Sequence, residues 1–121
     1  MAEPPVTEKS LGDSEMYCAA VVYARGPEGR FDLDYFANKH APMFANRLGD
    51  NCRRYEVHIA LETPGAPTPD FVAGAYFWVE SAAEFGAALA SHGPELYGDI
   101  PNFSDRQPSR SWAEVRVSGP S

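Results

Sequence analysis

A histidine lies on the apolar stripe of a predicted helix, and its position calls for a chemical reason. The segment Phe31–Leu48 reads FDLDYFANKHAPMFANRL, and its apolar residues recur at steps of three and four, with His40 among them. Asp32 is suited to cap such a helix and Gly49 to end it. Pro42 lacks an N–H and would crowd the carbonyl four residues earlier. We therefore expect the helix to end or kink at about His40, with Pro42 as the first residue of a second short helix.

Two roles suit an imidazole at this place. With an ordinary pKa of about 6.5, His40 could serve as a general acid or base at the wall of an apolar cavity. It could equally be a core histidine that donates to a backbone carbonyl, such as the one that Pro42 frees. The residues alone leave both roles open.

Asp99 and Asn102, in the stretch GDIPNF, are the candidate polar partners of His40. A buried carboxylate beside the imidazole would fix its tautomer and favour its charged form. The alternative is that both side chains only hydrogen-bond backbone amides within their loop. We take His40 and Asp99 as candidate catalytic residues and Asn102 as a candidate binding residue.

Aromatic residues on the predicted elements could line a cavity for a small molecule. Tyr17, Tyr55 and Tyr76 could point their hydroxyls into it, while Trp78 and Phe36 could wall it. The alternative is that these rings fill the core or an interface between two copies of the chain.

The remaining histidines and the cysteines indicate no metal site. His58 is expected in solvent on the polar face of an edge strand, and His92 at the end of the second predicted helix, near its dipole. The histidines show no HxH or HxxxH spacing among them. Cys18 is expected to be a small buried hydrophobe, and Cys18 and Cys52 to be free thiols of a reduced, cytoplasmic protein. We predict no cofactor.

Composition bounds the class of protein. The chain has 121 residues and a formal net charge of −7, which suits one domain and argues against nucleic acid or anionic membranes as partners. No apolar run has the length of a membrane span. Residues 1–14 are polar and contain adjacent prolines, so we predict a flexible tail followed by one domain over residues 15–118.

The hydrophobic pattern predicts the order β-α-β-β-α-β, which is typical of a ferredoxin-like α+β fold. The second helix begins after Ser81, with Glu84 at the capping-box position, and Gly93 and Pro94 are expected to break it. The predicted strands are Met16–Ala24, Arg53–Glu62, Phe71–Val79 and Ser111–Val117.

The faces of the strands predict their places in the sheet. The first and third strands are apolar on both faces and should be central, whereas the second and fourth carry charges on one face and should be edges. This gives an antiparallel sheet with the order 4-1-3-2. Two helices cover only one face of such a sheet, so the other apolar face should pack against a second copy. We therefore expect a dimeric α/β barrel.

Together, the strand MYCAAVVY, the helix with HAPMF, the stretch RRYEV and the loop GDIPNFSD resemble the EthD family, named for ethyl tert-butyl ether degradation. The resemblance covers about Met16 to Val117, and His40 matches the family's HxP position. It implies the dimeric α+β barrel fold, which small cofactor-free monooxygenases and muconolactone isomerases share.

The resemblance leaves two classes of function open. One is a cofactor-independent enzyme of oxidoreductase, isomerase or lyase type. It would act on a small apolar molecule, of ether, aromatic or polyketide type, with His40 as acid/base. The other is a non-catalytic binding dimer that supports a partner oxygenase, such as the cytochrome P450 system with which bacterial members are associated. The chain itself has no haem-binding or ferredoxin cysteine motif.

Overall fold

The computed structural model describes residues 16–26 and 29–119. The predicted tail, residues 1–14, lies outside the described residues, and the domain limits remain a prediction. The four strands are β1 (Met16–Ala24), β2 (Cys52–Ile59), β3 (Phe71–Val79) and β4 (Ser109–Val115). β1 and β3 have the predicted bounds. β2 ends three residues earlier than predicted, and β4 is shifted two residues toward the N-terminus.

The strands form an antiparallel sheet with the order β2-β3-β1-β4, which confirms the predicted order and the ferredoxin-like α+β class. The shift of β4 follows from its register, because Val115 lies opposite Met16, the first residue of β1. Strands that are apolar on both faces occupy the centre, as the burial argument requires.

Both helices pack on one face of the sheet, and the core lies between. Phe44 of the first helix stacks on Phe77 of β3, with ring centroids 4.5 Å apart. Phe85 of the second helix stacks on Trp112 of β4 at 4.9 Å. At one end, a cluster of edge-to-face rings surrounds the buried Tyr23 of β1. These contacts fix where the helices lie over the sheet.

Helix α1 does not end at the predicted place, but its winding changes there, and a new α-helical segment begins at Ala41, one residue before the predicted Pro42. It consists of an α-helical turn (Leu33–Tyr35), a π-helical turn (Phe36–His40) and an α-helical segment (Ala41–Leu48). In the π turn, the N–H of Ala41 bonds to the carbonyl of Phe36, five residues back. This wider turn accommodates Pro42 without ending the helix.

The ends of α1 are as predicted. The Asp32 side chain accepts from the Tyr35 N–H at 3.1 Å. Gly49 ends the helix at φ +68°, a conformation that favours glycine. The helix is therefore held in place at both ends.

Helix α2 (Ala82–Gly98) also passes through its predicted break, because Pro94 lies inside it. His92 is therefore not at the end of the helix, which corrects its predicted place, and it lies 3.9 Å from Glu95 instead. Ser81 caps the helix as predicted, accepting from the Glu84 N–H at 3.0 Å. The N–H of Ser81 bonds to Asn51 Oδ1 at 2.8 Å, so Asn51 takes the place that Glu84 has in a capping box.

Within the described residues, no helix covers the other face of the sheet. Tyr76 and Trp78 lie there on β3, and Gly74 leaves room for the Tyr76 ring, because a Cβ at Gly74 would lie only 3.2 Å from its hydroxyl. The guanidinium of Arg54 lies 4.1 Å from the centre of the Trp78 ring. The half-exposed His58 packs on Tyr76, with ring centroids 4.4 Å apart. We call this surface the open sheet face.

Two further observations complete the fold. Among the described residues, no helix is both long and apolar enough to cross a membrane. Cys18 on β1 and Cys52 on β2 are free thiols, each half-buried.

Candidate functional site

The π turn places His40 inside the protein. Its side chain is 5% exposed, and its ring lies against Phe103 and Phe36 at centroid distances of 4.6 and 6.0 Å. Phe44, one turn further along α1, meets the same ring edge-on at 6.3 Å. His40 is thus an ionisable group in an aromatic box.

Asp99 is the polar centre of the candidate site. It lies at the C-terminal end of α2, and its side chain is 14% exposed. Its Oδ2 lies 2.9 Å from His40 Nδ1, while its Oδ1 accepts from the Tyr35 hydroxyl at 2.7 Å and from Asn102 Nδ2 at 2.9 Å. One carboxylate therefore holds three side chains that come from two separate segments of the chain.

These contacts set the protonation states of the pair. Burial opposes the ionised form of Asp99. The hydrogen bonds from Asn102, His40 and Tyr35 outweigh burial, so the pKa of Asp99 falls below its usual range. Burial lowers the pKa of His40, although its hydrogen bond to Asp99 and the carboxylate charge act in the opposite direction. The hydrogen bond to Asp99 raises the pKa of Tyr35. At neutral pH the geometry therefore favours an ionised Asp99 beside a neutral His40.

This arrangement fixes the tautomer of His40. Because the ionised carboxylate can only accept, Nδ1 carries the proton and Nε2 carries the lone pair. Within the described part of the chain, Nε2 has no hydrogen-bond partner, and it is not among the fully buried unpaired atoms. Nε2 is therefore the atom of this site that can exchange a proton with another molecule.

The structure brings together four of the residues predicted for the site. His40, Asp99 and Asn102 are connected by hydrogen bonds, although Asn102 contacts Asp99 and not a cavity. Phe36 is fully buried beside His40. Their proximity is observed, whereas their chemical roles stay predictions.

The other predicted aromatic residues lie elsewhere. Tyr17 stacks on Trp112 at 5.2 Å near the β4 edge, and Tyr55 stacks on Phe77 at 5.9 Å near the β2 edge. Tyr76 and Trp78 belong to the open sheet face, on the opposite side of the sheet from His40.

A cavity of about 320 Å³ lies on the helix side of the sheet, between α2 and the strands β1 and β4. We call it the α2–β4 cavity. Its walls include Phe44, Phe85, Leu89, Tyr97, Arg110 and Trp112. His40 is not among the lining residues, but Phe44, which contacts the His40 ring, is. The cavity and the His40–Asp99 pair are therefore neighbours.

Sequence reasoning missed Tyr35 and the cavity residues Arg110 and Trp112. Tyr35 reaches Asp99 across 64 positions of the chain, so no local pattern identifies it. Trp112 lies in a strand that the pattern did predict. The feature that could have identified it is a large aromatic side chain on an edge strand, where it is 43% exposed.

Among the residues that the structure describes, none hydrogen-bonds the hydroxyl of Tyr23, although this residue is fully buried. Burial raises its pKa, and the charges of Tyr97 and Asp99 act in the same direction. Tyr23 therefore keeps its proton and can serve only as a neutral donor or acceptor.

No group of three or more His, Cys, Asp and Glu side chains within residues 16–26 and 29–119 is arranged to hold a metal ion. The candidate site consists of the His40–Asp99 pair and the aromatic rings around it.

The protein has an antiparallel sheet with two helices on one face, which is a ferredoxin-like α+β fold. Its buried histidine–carboxylate pair is a candidate acid/base site. The EthD domain model matches residues 30–107, and the chain belongs to the EthD family. An EthD-like protein from Ralstonia eutropha JMP134 is 36% identical, with 88% of this chain and 97% of that chain covered and a TM-score of 0.81.

More distant structures share the fold. An ethyl tert-butyl ether degradation (EthD) family protein from Bacillus halodurans C-125 is 16% identical over 84% of this chain and 99% of that one, with a TM-score of 0.59. SnoaB from Streptomyces nogalater, a cofactor-independent oxygenase whose structure is that of a mutant, is 14% identical over 88% and 98%, with a TM-score of 0.56. No significant match was found among curated proteins.

Proposed function

We propose that this EthD family member is a cofactor-independent enzyme that acts on a small, mostly apolar molecule by proton transfer. The observation that carries the proposal is the pairing of His40 Nδ1 with Asp99 Oδ2 at 2.9 Å, which leaves Nε2 unpaired in an aromatic box. The ionised carboxylate keeps the proton on Nδ1 and the lone pair on Nε2, which is the state that a general base needs.

The reaction begins at Nε2, which removes a proton from an acidic C–H or O–H group of the bound molecule. The electron pair of that bond remains on the substrate as an enolate or oxyanion. The imidazolium that forms is stabilised by Asp99. Returning the proton to another atom of the same molecule completes an isomerisation, and returning it to a leaving group completes an elimination.

The same first step would also serve an oxygenase. An electron-rich organic anion is the form that can pass electrons to O₂, so deprotonation by His40 would prepare the substrate for oxidation with O₂ as the co-reactant. The fold shared with the cofactor-independent oxygenase SnoaB supports including this branch. The name of the Bacillus halodurans relative, an ethyl tert-butyl ether degradation family protein, supports ether-derived molecules as the class to screen first.

The test is His40→Gln, because glutamine keeps hydrogen-bonding capacity but cannot exchange a proton. With a substrate found by screening, the variant should keep its fold and ligand affinity while its rate falls by roughly 10²–10⁴. His58→Gln, a matched change of the exposed histidine on β2, should leave the rate unchanged. Equal turnover in wild type and His40→Gln would refute the catalytic role.

A second function is favoured by one observation, namely that His40 does not line the α2–β4 cavity. In this alternative the protein binds a small molecule there without transforming it, and supports a partner oxygenase such as a cytochrome P450 system. A ligand that binds with unchanged affinity to His40→Gln and is recovered chemically intact from wild type would favour this alternative.

We also propose a homodimer in which two open sheet faces pack together, in a cytoplasmic protein. The support is the partly exposed aromatic surface of β3, with Tyr76 and Trp78 beside the charged Arg54 and Glu56. Because Arg54 and Glu56 carry opposite charges on one face, a two-fold axis could bring each against its opposite in the second copy.

A further inference from the structure

The α2–β4 cavity carries a positive charge at a wall made mostly of aliphatic and aromatic side chains. Arg110 on β4 lies opposite Val21 of β1, which directs its side chain to the helix side of the sheet. Its guanidinium lies 5.1 Å from the centre of the Tyr97 ring and donates to the Tyr97 hydroxyl. The charge is thus held in place by α2.

No carboxylate neutralises this charge within the part of the chain that the structure describes. Other arginines do have carboxylate partners, as Arg47 has with Glu95 at 2.7 Å and Arg53 with Glu80 at 3.3 Å. Among the described residues, the guanidinium of Arg110 makes its hydrogen bond and its cation–π contact with Tyr97. In a chain with a formal net charge of −7, an arginine without a carboxylate at a cavity wall is available to an anion from outside.

The walls of the cavity suit a flat ring. Trp112 is stacked on Phe85 with an angle of 27° between the planes, and Leu89 and Phe44 add apolar surface. A volume of about 320 Å³ is at the small end of the range for ligand pockets. One or two fused rings would fill it.

From these observations we propose that the α2–β4 cavity binds a small aromatic carboxylate, with its ring beside Trp112 and its carboxylate paired with Arg110. The inference rests on the proposed function in that it names the class of molecule that the protein takes. Specificity follows from the guanidinium, because a planar carboxylate can accept two parallel hydrogen bonds from it and an alcohol cannot.

The experiment compares 1-naphthoate with 1-naphthalenemethanol, which has the same ring system and no charge. Binding is measured by calorimetry, and quenching of Trp112 fluorescence in a Trp78→Phe background reports the location, since the chain has two tryptophans. Wild type should bind the carboxylate about 10- to 100-fold more tightly. Arg110→Gln should lose this preference, and Arg110→Lys should retain part of it.

Two controls make the result specific. Arg116→Gln removes a neighbouring exposed arginine that pairs with Glu114, and it should leave the preference intact. Leu89→Trp should fill the cavity and abolish binding of both probes in calorimetry.

The inference is wrong if the alcohol binds as tightly as the carboxylate, if Arg110→Gln keeps the preference, or if neither probe binds. Because the readout is binding and not turnover, its failure leaves the role of His40 to be decided by His40→Gln.

Discussion

Replacing Asp99 by asparagine tests the centre of the candidate site with almost no change of shape. Tyr35 and Asn102 both donate to Oδ1, which asparagine retains, whereas His40 faces Oδ2, which becomes an amide nitrogen. The amide must donate to His40 Nδ1, so the proton of the imidazole moves to Nε2. Asp99→Asn should therefore weaken two hydrogen bonds, reverse a third and change Nε2 from an acceptor into a donor.

The loss of folding stability in Asp99→Asn follows from the loss of the carboxylate charge. A hydrogen bond to a charged group contributes about 1.5–3 kcal/mol and a neutral one about 0.5–1.5 kcal/mol, so three altered bonds predict a loss of about 2 kcal/mol, reduced somewhat by solvent at Asp99. The folded-state pKa of Asp99 is lowered, so its stabilisation is present above the unfolded value of about 3.9 and is lost as the pH falls through the folded value. The difference between wild type and Asp99→Asn should therefore grow while His40 titrates, because the carboxylate raises the pKa of His40, and should shrink once the pH falls below about 3.9.

The assay is urea unfolding at pH 7, 5 and 3, with Asp50→Asn as the matched control, because Asp50 is exposed in the turn after α1. Titration of the His40 ring by NMR should show a lower pKa in Asp99→Asn, since the carboxylate raises it in wild type. Equal stability at pH 7, or a difference that does not change down to pH 3, would refute the central place given to Asp99.

Two other predictions concern the core and the open sheet face. Tyr23→Phe removes a buried hydroxyl without a partner and should leave stability unchanged or raise it by about 1 kcal/mol in urea unfolding, whereas a loss of more than that would show that the hydroxyl has a hydrogen bond. Trp78→Glu should convert the proposed dimer into monomer in sedimentation at micromolar concentration, because two carboxylates would face each other across the two-fold axis. Thr63→Glu, a change on the exposed loop after β2, should leave the dimer intact. A monomeric wild type would contradict the dimer itself.

Sequence patterns were sufficient for the sheet because strand placement depends on which faces are apolar. β1 and β3 are continuous apolar runs that end at turn residues, so their bounds were predicted to the residue. The predicted β2 is too long, because Leu61 and Glu62 continue the alternation of apolar and polar residues but lie beyond the last residue pair between β2 and β3.

The π turn could not be predicted, because a proline can follow a break, a kink or a locally wider turn. Pro42 lies in the first turn of the α-helical segment after the π turn, where its missing N–H is tolerated, whereas Pro94 lies inside α2. The proximity of His40 and Asp99 was predictable from the motifs they occupy, whereas the contribution of Tyr35 required the folded structure.

For protein engineering, the π turn of α1 means that the His40 geometry cannot be copied onto a straight helix. The turn inserts the equivalent of one extra residue into the helical winding, and each residue of an α-helix turns the chain by about 100°. If the same residues wound as a regular α-helix, Tyr35 and His40, which are five positions apart, would lie about 140° apart around the helix axis and could not both reach Asp99. A scaffold meant to reproduce this acid/base pair must therefore transfer the five-residue turn as a unit.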